Sequence, residues 1–160
     1  MKRNILDRYL LFSPAVRGFI EWGILIGSGI LGALFSWTKI PFTPVTNIVG
    51  AIIFIIGLAF HCYSERAHRQ AHQQADSIQE IVTTSMYACI RHPLYLCVIV
   101  MNIGIAMICG NIWSLLIAGI ITVFTIMTVF KEEAFLKEKF HPKYQEYMKK
   151  VPWRMIPKVF

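Results

Sequence analysis

Two clusters of polar side chains stand at the ends of one apolar hairpin. Arg91-His92-Pro93-Leu94-Tyr95 opens an apolar segment, and Glu132-Glu133 closes the next one, with almost no charge between them. Polar groups at the edge of a membrane span are costly and mark candidate sites. A helix beginning at Pro93 loses nothing from the missing proline N–H, because first-turn donors have no intrahelical partner. The free donors beside it, and the positive end of the helix dipole, suit a carboxylate or a phosphate. Glu132 and Glu133, at the opposite pole of their helix, suit a cation. A ligand carrying both charges would match the two clusters. The plainer reading is that Arg91, His92, Glu132 and Glu133 are ordinary interfacial residues, with Arg91 paired to a glutamate.

The elements that must position these clusters are apolar. The chain has 160 residues, is 56% hydrophobic and carries a net charge of +7; its mean hydropathy is +0.54. A soluble domain this short could not bury so much apolar side chain, so the surplus must face lipid. Four segments stand out: Phe19 to Trp37, Ile48 to Tyr63, Leu94 to Cys109 and Ile112 to Phe130. Spanning a bilayer takes about 20 residues, so the second and third are short unless flanking residues complete them or the helices tilt. Pro41 and Pro44 mark the first connection, and Gly110-Asn111 makes a very tight hairpin. Ser64 to Arg91 reads as a helical extension followed by an interfacial loop. Lys131 to Phe160 reads as a basic, aromatic, amphipathic tail with Tyr144, Tyr147 and Trp153 as interface anchors. No internal repeat or low-complexity tract is present, and the expectation is one all-α integral membrane domain over residues 1–160 with four transmembrane helices.

Lys and Arg positions orient it. Fifteen of the 16 basic residues lie in the N-terminus, the central loop and the tail, and Lys39 alone lies on the other side. This bias places both termini and the central loop in the cytoplasm. It also assigns the positive charge to anionic lipid rather than to nucleic acid. Glu21 interrupts the first apolar run and no A-x-A site follows, which argues against a cleaved signal peptide. Cys62, Cys89, Cys97 and Cys109 show no CxxC spacing and read as small packing residues. Glu21 reads as interfacial or paired with Arg17, and Gly23, Gly27, Ser28 and Gly32 as small residues allowing close packing or a homodimer contact.

The two segments of the hairpin are nearly equal in length and joined by two residues, so they run antiparallel. Counting outward from the turn brings the Arg-His-Pro cluster and the glutamate pair to one depth, on the cytoplasmic side.

The stretch "IVTTSMYACIRHPLYL", followed after the hairpin by "KEEAFLKEKFHPKYQEYMKKVPWRMIP", resembles the isoprenylcysteine carboxyl methyltransferase family of integral membrane methyltransferases, with phospholipid N-methyltransferases as broader relatives. The resemblance covers about residues 78–157, in order, spacing and intervening hairpin. It implies an S-adenosylmethionine-dependent methyltransferase acting on a lipophilic acceptor, a prenylcysteine-like carboxylate or a lipid amine. Gln79, Glu80, Ile81 and Val82 would line the adenosine pocket, and Tyr87 would pack on or hydrogen-bond the cofactor. His92, Pro93, Leu94 and Tyr95 would surround its amino-acid end, Glu132 would hold its positive part, and His72 would add a polar contact. Glu133 and Arg91 are the candidate catalytic residues. The chain departs from the family pattern at Ser85 and Cys97, where glycine is usual, and at Thr128, the candidate substrate-binding position, where an arginine contacts the substrate's carboxylate.

Methyl transfer from a sulfonium is an in-line displacement that demands alignment and desolvation. A carboxylate acceptor needs no base; an amine must first lose a proton, for which Glu133 is the candidate. Tyr87 and Tyr95 could stabilise the sulfonium through their ring faces. Two rival functions are an NADPH-dependent membrane reductase of the sterol-reductase type and a non-catalytic membrane scaffold. His61, Glu65, His68 and His72 share one helix face at metal-ligand spacing, but such sites draw ligands from several helices. The expectation there is no metal and a polar face lining the cofactor pocket or facing solvent.

Overall fold

The structure, a computed structural model, describes residues 13–67 and 78–160. The described residues form five α-helices and a short 3₁₀ turn. These are α1 (Pro14–Leu34), α2 (Val45–Ala67), the turn Ser85–Ala88, α3 (Pro93–Cys109), α4 (Ile112–Lys139) and α5 (Lys143–Lys150). Helices α1, α2 and α4 are long and apolar enough to cross a membrane, and α3 is a shorter apolar helix. Their outward faces expose Phe19, Ile30, Leu34, Ile55 and Ile120, a surface that only lipid would cover without cost.

The helix ends follow local chemistry. Ser13 caps α1 and Pro14 starts it. Pro93 begins α3, and Gly110 ends it in the left-handed region at φ 69°, where glycine carries no Cβ penalty. Asn111 then starts α4 at once, its Oδ1 accepting from Ser114 N–H at 2.9 Å. The two-residue hairpin is therefore a C-cap followed directly by an N-cap. Backbone bonds from Ile40 N to Gly110 O and from Ile112 N to Thr38 O tie the first connection to it.

Helix boundaries differ from expectation in two instructive ways. The fourth segment does not stop at Phe130 but continues as one helix of 28 residues, so both glutamates are helical and point in different directions. The second segment gains flanking residues to reach 23, whereas α3 stays at 17. Helix α3 can be short because it lies centrally, packed against α1, α2 and α4. Its closest neighbour is α2, where glycines let the backbones touch. A Cβ on Gly50 would lie 2.6 Å from Met107 Cβ, and one on Gly104 would lie 2.8 Å from Phe54 N. Such contacts supply packing energy that lipid cannot supply.

On α1 the inward stripe is Arg17, Glu21, Leu25, Ser28 and Gly32, all buried, at the helical repeat. Ser28 hydroxyl shares a hydrogen bond of 2.8 Å with Ser114. Gly23 and Gly27, grouped in the sequence with Ser28 and Gly32 as packing residues, lie off this stripe, and a Cβ added at either would meet no other element within 4 Å.

Beyond the spans, Ile78, Leu136, Tyr144, Tyr147 and Val151 form a second core against Ile81, Phe140 and Met148. Tyr144 and Tyr147 are thus buried packing residues, not the interface anchors that their aromatic, basic surroundings suggest. The tail folds back on α4, and burial of α5's apolar face outweighs exposure at the bilayer surface.

Candidate functional site

The hairpin brings the two polar clusters together. Glu133 is 1% exposed, yet its carboxylate is fully engaged. Arg91 reaches Oε1 through Nε at 2.7 Å and Nη2 at 2.7 Å. On the other oxygen, Arg154 Nε donates to Oε2 at 2.9 Å. His92 Nε2 lies 3.4 Å from Oε1 without hydrogen-bond alignment. A buried carboxylate is tolerable only with such compensation, and removing one partner would strand the other charges. The tail locks this cluster further. Arg91 Nη1 donates to Val151 O at 2.7 Å, and the backbone N–H groups of Arg91 and His92 donate to Trp153 O and Arg154 O.

Glu132, one residue away, has a different fate. Successive helical positions are about 100° apart, so its partly exposed side chain turns toward α3. There the Tyr95 hydroxyl donates to Glu132 Oε2. Tyr95 also tilts against His92 at 5.8 Å between ring centroids. Of the paired glutamates, Glu133 is saturated by cations and Glu132 is the one available to a positive group.

The loop before α3 completes the region. Tyr87 is buried, and its backbone carbonyl accepts from Tyr147 hydroxyl at 2.7 Å. Burial raises the Tyr87 phenol above its ordinary pKa and the nearby Glu132 charge adds to this, so it stays protonated as a donor. Tyr144 and Tyr147 are raised for the same first reason, burial. A cleft of about 310 Å³ opens between this loop and the start of α5, lined by Gln79, Glu80, Ile81, Thr83, Phe140, Lys143 and Tyr147. Three of the four residues expected at an adenosine pocket therefore line one cleft. Val82 follows them, half-buried, as are Leu94 and Tyr95, while Pro93 is buried at the helix start.

His72, and with it His68, lies outside the described residues. His61 Nδ1 pairs with Glu65 Oε2 at 3.9 Å, and among the described residues no group of three metal-ligating side chains converges. Cys97 is buried, while Cys62 and Cys89 are exposed and Cys109 partly so; all four are free thiols.

Two arginines belong here that the motifs did not single out. Arg154 stacks between the rings of Phe130 and Phe160, at 4.9 and 5.3 Å, while donating to Glu133. Its signal was that it is the one arginine in a tail otherwise basic through lysine, and arginine suits stacked, buried ion pairs. Arg17 pairs with Glu21 as expected, at 3.3 Å. It also donates from Nη1 to Thr128 Oγ1 at 2.7 Å and lies 5.3 Å from the Tyr95 ring centre. A guanidinium thus stands beside Thr128 after all, delivered by α1.

Residues 45–143 match the model of a family described as phospholipid methyltransferase. Over 73 residues the chain is 37% identical to a Protein-S-isoprenylcysteine O-methyltransferase of Schizosaccharomyces pombe, a match covering 45% of this chain and 31% of that relative. The chain therefore spans about a third of the length of this curated relative.

Proposed function

The chain belongs to the phospholipid methyltransferase family, and from that premise we propose that it is an integral membrane methyltransferase that uses S-adenosylmethionine to methylate a lipophilic acceptor at the cytoplasmic face. The observation that carries the reading is the unequal treatment of the glutamate pair. Glu133 is consumed by Arg91 and Arg154, which pins the start of α3 against the end of α4. Glu132 is left half-buried with a tyrosine hydroxyl, a negative group beside a helix N-terminus. The residues fit the donor: the cleft between Gln79 and Tyr147 has the size and mixed aromatic and polar lining for an adenosine, Glu132 suits a positive group, and the first turn of α3 suits a carboxylate.

The bound donor would supply a methyl group on a sulfonium. The protein's own residues would exclude water, align the groups and hold charge. In this reading Arg91, Glu133 and Arg154 are positioning residues, because both oxygens of Glu133 are already accepting hydrogen bonds. Glu133 is then poorly placed to take a proton, which favours an acceptor that needs no base, such as a carboxylate; the relative's name gives methylation on oxygen for that protein. The cytoplasmic side rests on the charge asymmetry of the loops.

Calorimetry of the detergent-purified chain tests the reading. S-adenosylhomocysteine should bind in the micromolar range, and Glu132→Ala or His92→Ala should weaken binding at least tenfold. Saturable binding of NADPH with none of S-adenosylhomocysteine would overturn it in favour of a reductase.

A further inference from the structure

The apolar surface of the spans continues into the tail. Phe130, the last residue of the apolar run of α4, is 47% exposed, and its ring meets that of Phe160 at 5.7 Å between centroids. Phe160 belongs to a closed turn at residues 154–160. The backbone N–H groups of Arg154, Met155 and Ile156 all donate to Phe160 O, and those of Val159 and Phe160 donate back to Ile156 O. Met155 is buried on the inner side of this turn, whereas Ile156 is 46% and Val159 77% exposed. Between them in the chain, Lys158 has φ 64°, a left-handed conformation that a residue other than glycine keeps only where its surroundings impose it.

Water is a poor partner for the outer side of the turn, and the tail had another choice. Tyr144, Tyr147 and Val151 bury themselves in the second core, while Ile156 and Val159 stay outside it. Their place identifies what covers them. A ring contact joins the turn to the last apolar residue of a span, so its exposed side chains extend the surface that faces lipid. Exposed Lys158 adds a positive charge on a flexible stem, which suits phospholipid phosphates. Apolar side chains beside a lysine, where a span leaves the hydrocarbon, have the composition of an interfacial membrane contact. The same turn also reaches the site. The Arg154 guanidinium lies over the rings of Phe130 and Phe160 while its Nε donates to Glu133 Oε2, and Glu133 holds Arg91 just before α3.

We propose that the turn at residues 154–160 docks into the phospholipid interface through Ile156 and Val159, with Lys158 among the phosphates, and that this docking keeps Arg154 on Glu133. The bilayer is then more than a solvent for the spans. It holds the turn, the turn holds the stacked arginine, and the arginine holds the carboxylate that pins the start of α3. The lipid contact stands on these residues alone, and only its effect on donor binding rests on the methyltransferase reading.

Photo-crosslinking of the full chain in nanodiscs of phosphatidylcholine and phosphatidylserine tests the contact. The crosslinker p-benzoylphenylalanine is placed, in separate variants, at Val159, at Ile156 and at Glu138. Glu138 is the control, being exposed and about 12 Å beyond Phe130 along α4 at 1.5 Å per residue. After irradiation, mass spectrometry should find phospholipid adducts at Val159 and Ile156 at least fivefold above those at Glu138. Equal adducts at the three positions, or none at Val159 and Ile156, would overturn the docking. Val159→Asp and Val159→Leu read the coupling in the same nanodiscs. The aspartate variant should bind S-adenosylhomocysteine at least threefold more weakly than the unaltered chain, and the leucine variant should match it within about twofold. Unchanged affinity in a folded Val159→Asp protein would overturn the coupling to Arg154. Failure of the unaltered chain to bind S-adenosylhomocysteine would remove the methyltransferase reading, while the adduct pattern would still decide the lipid contact.

Discussion

Side chains one residue apart do unlike jobs here because a helix turns them onto different neighbours. Glu133 faces Arg91 and Arg154 and becomes the knot that ties the α3 start to the tail; Glu132 faces Tyr95 and stays available. The same logic separates the tyrosines of α5. Tyr147 hydroxyl donates to Tyr87 O at 2.7 Å, whereas the buried Tyr144 hydroxyl makes no hydrogen bond. Removing a hydroxyl that satisfies a buried carbonyl costs about 1 kcal/mol or more, while removing one that satisfies nothing is close to neutral. Tyr147→Phe should therefore lower the thermal midpoint by several degrees, and Tyr144→Phe should leave it unchanged or raise it. Differential scanning fluorimetry of the two variants side by side checks this, and equal losses would contradict the bonding pattern.

Among the elements, α3 is the pivot, since it meets all three long helices and starts at the site. Its position depends on Gly104, where an added Cβ would sit 2.8 Å from the backbone nitrogen of Phe54. Backbone cannot yield as a flexible side chain can. Gly104→Val should cost about 1–3 kcal/mol or more through overpacking, and it should also weaken S-adenosylhomocysteine binding because the start of α3 moves. Gly23→Ala is the control: a Cβ added there would meet nothing within 4 Å, and alanine is the better helix former by up to about 1 kcal/mol. That variant should melt at the same temperature or higher, as circular dichroism would report.

For the whole molecule, the extramembrane core packs α5 against the end of α4 and the loop before α3, and it carries a pH signature. Tyr87, Tyr144 and Tyr147 have phenols raised in the folded state, first by burial. The unfolded chain releases those protons near pH 10, while the folded chain retains them to higher pH. Their stabilising contribution is thus fully present below about pH 10 and is lost as pH climbs toward the folded values. Melting temperature should hold from pH 8 to about 10 and then fall, and the fall should be shallower in Tyr147→Phe. A decline beginning well below pH 10 would point to other groups.

How much of this was legible beforehand depends on the range of the forces involved. Apolar runs, a proline at a helix start and a Gly-Asn turn act locally, so the helices, the antiparallel hairpin and the meeting of Arg91 and His92 with the glutamate pair could be read from the chain. Arg17 pairing with Glu21 was equally visible, being one turn apart on one helix. Arg154 on Glu133, Arg17 beside Thr128, and the burial of Tyr144 and Tyr147 depend on contacts between residues far apart in sequence. The packing of glycines on α2 and α3, rather than at Gly23 and Gly27, was likewise decided only when the helices chose their faces. The sequence alone determined which polar groups had to be near a membrane surface. The tertiary structure decided which of them spend their charge on each other and which meet only a neutral hydroxyl, because that division depends on a helical rotation of about 100° and on partners delivered by distant segments.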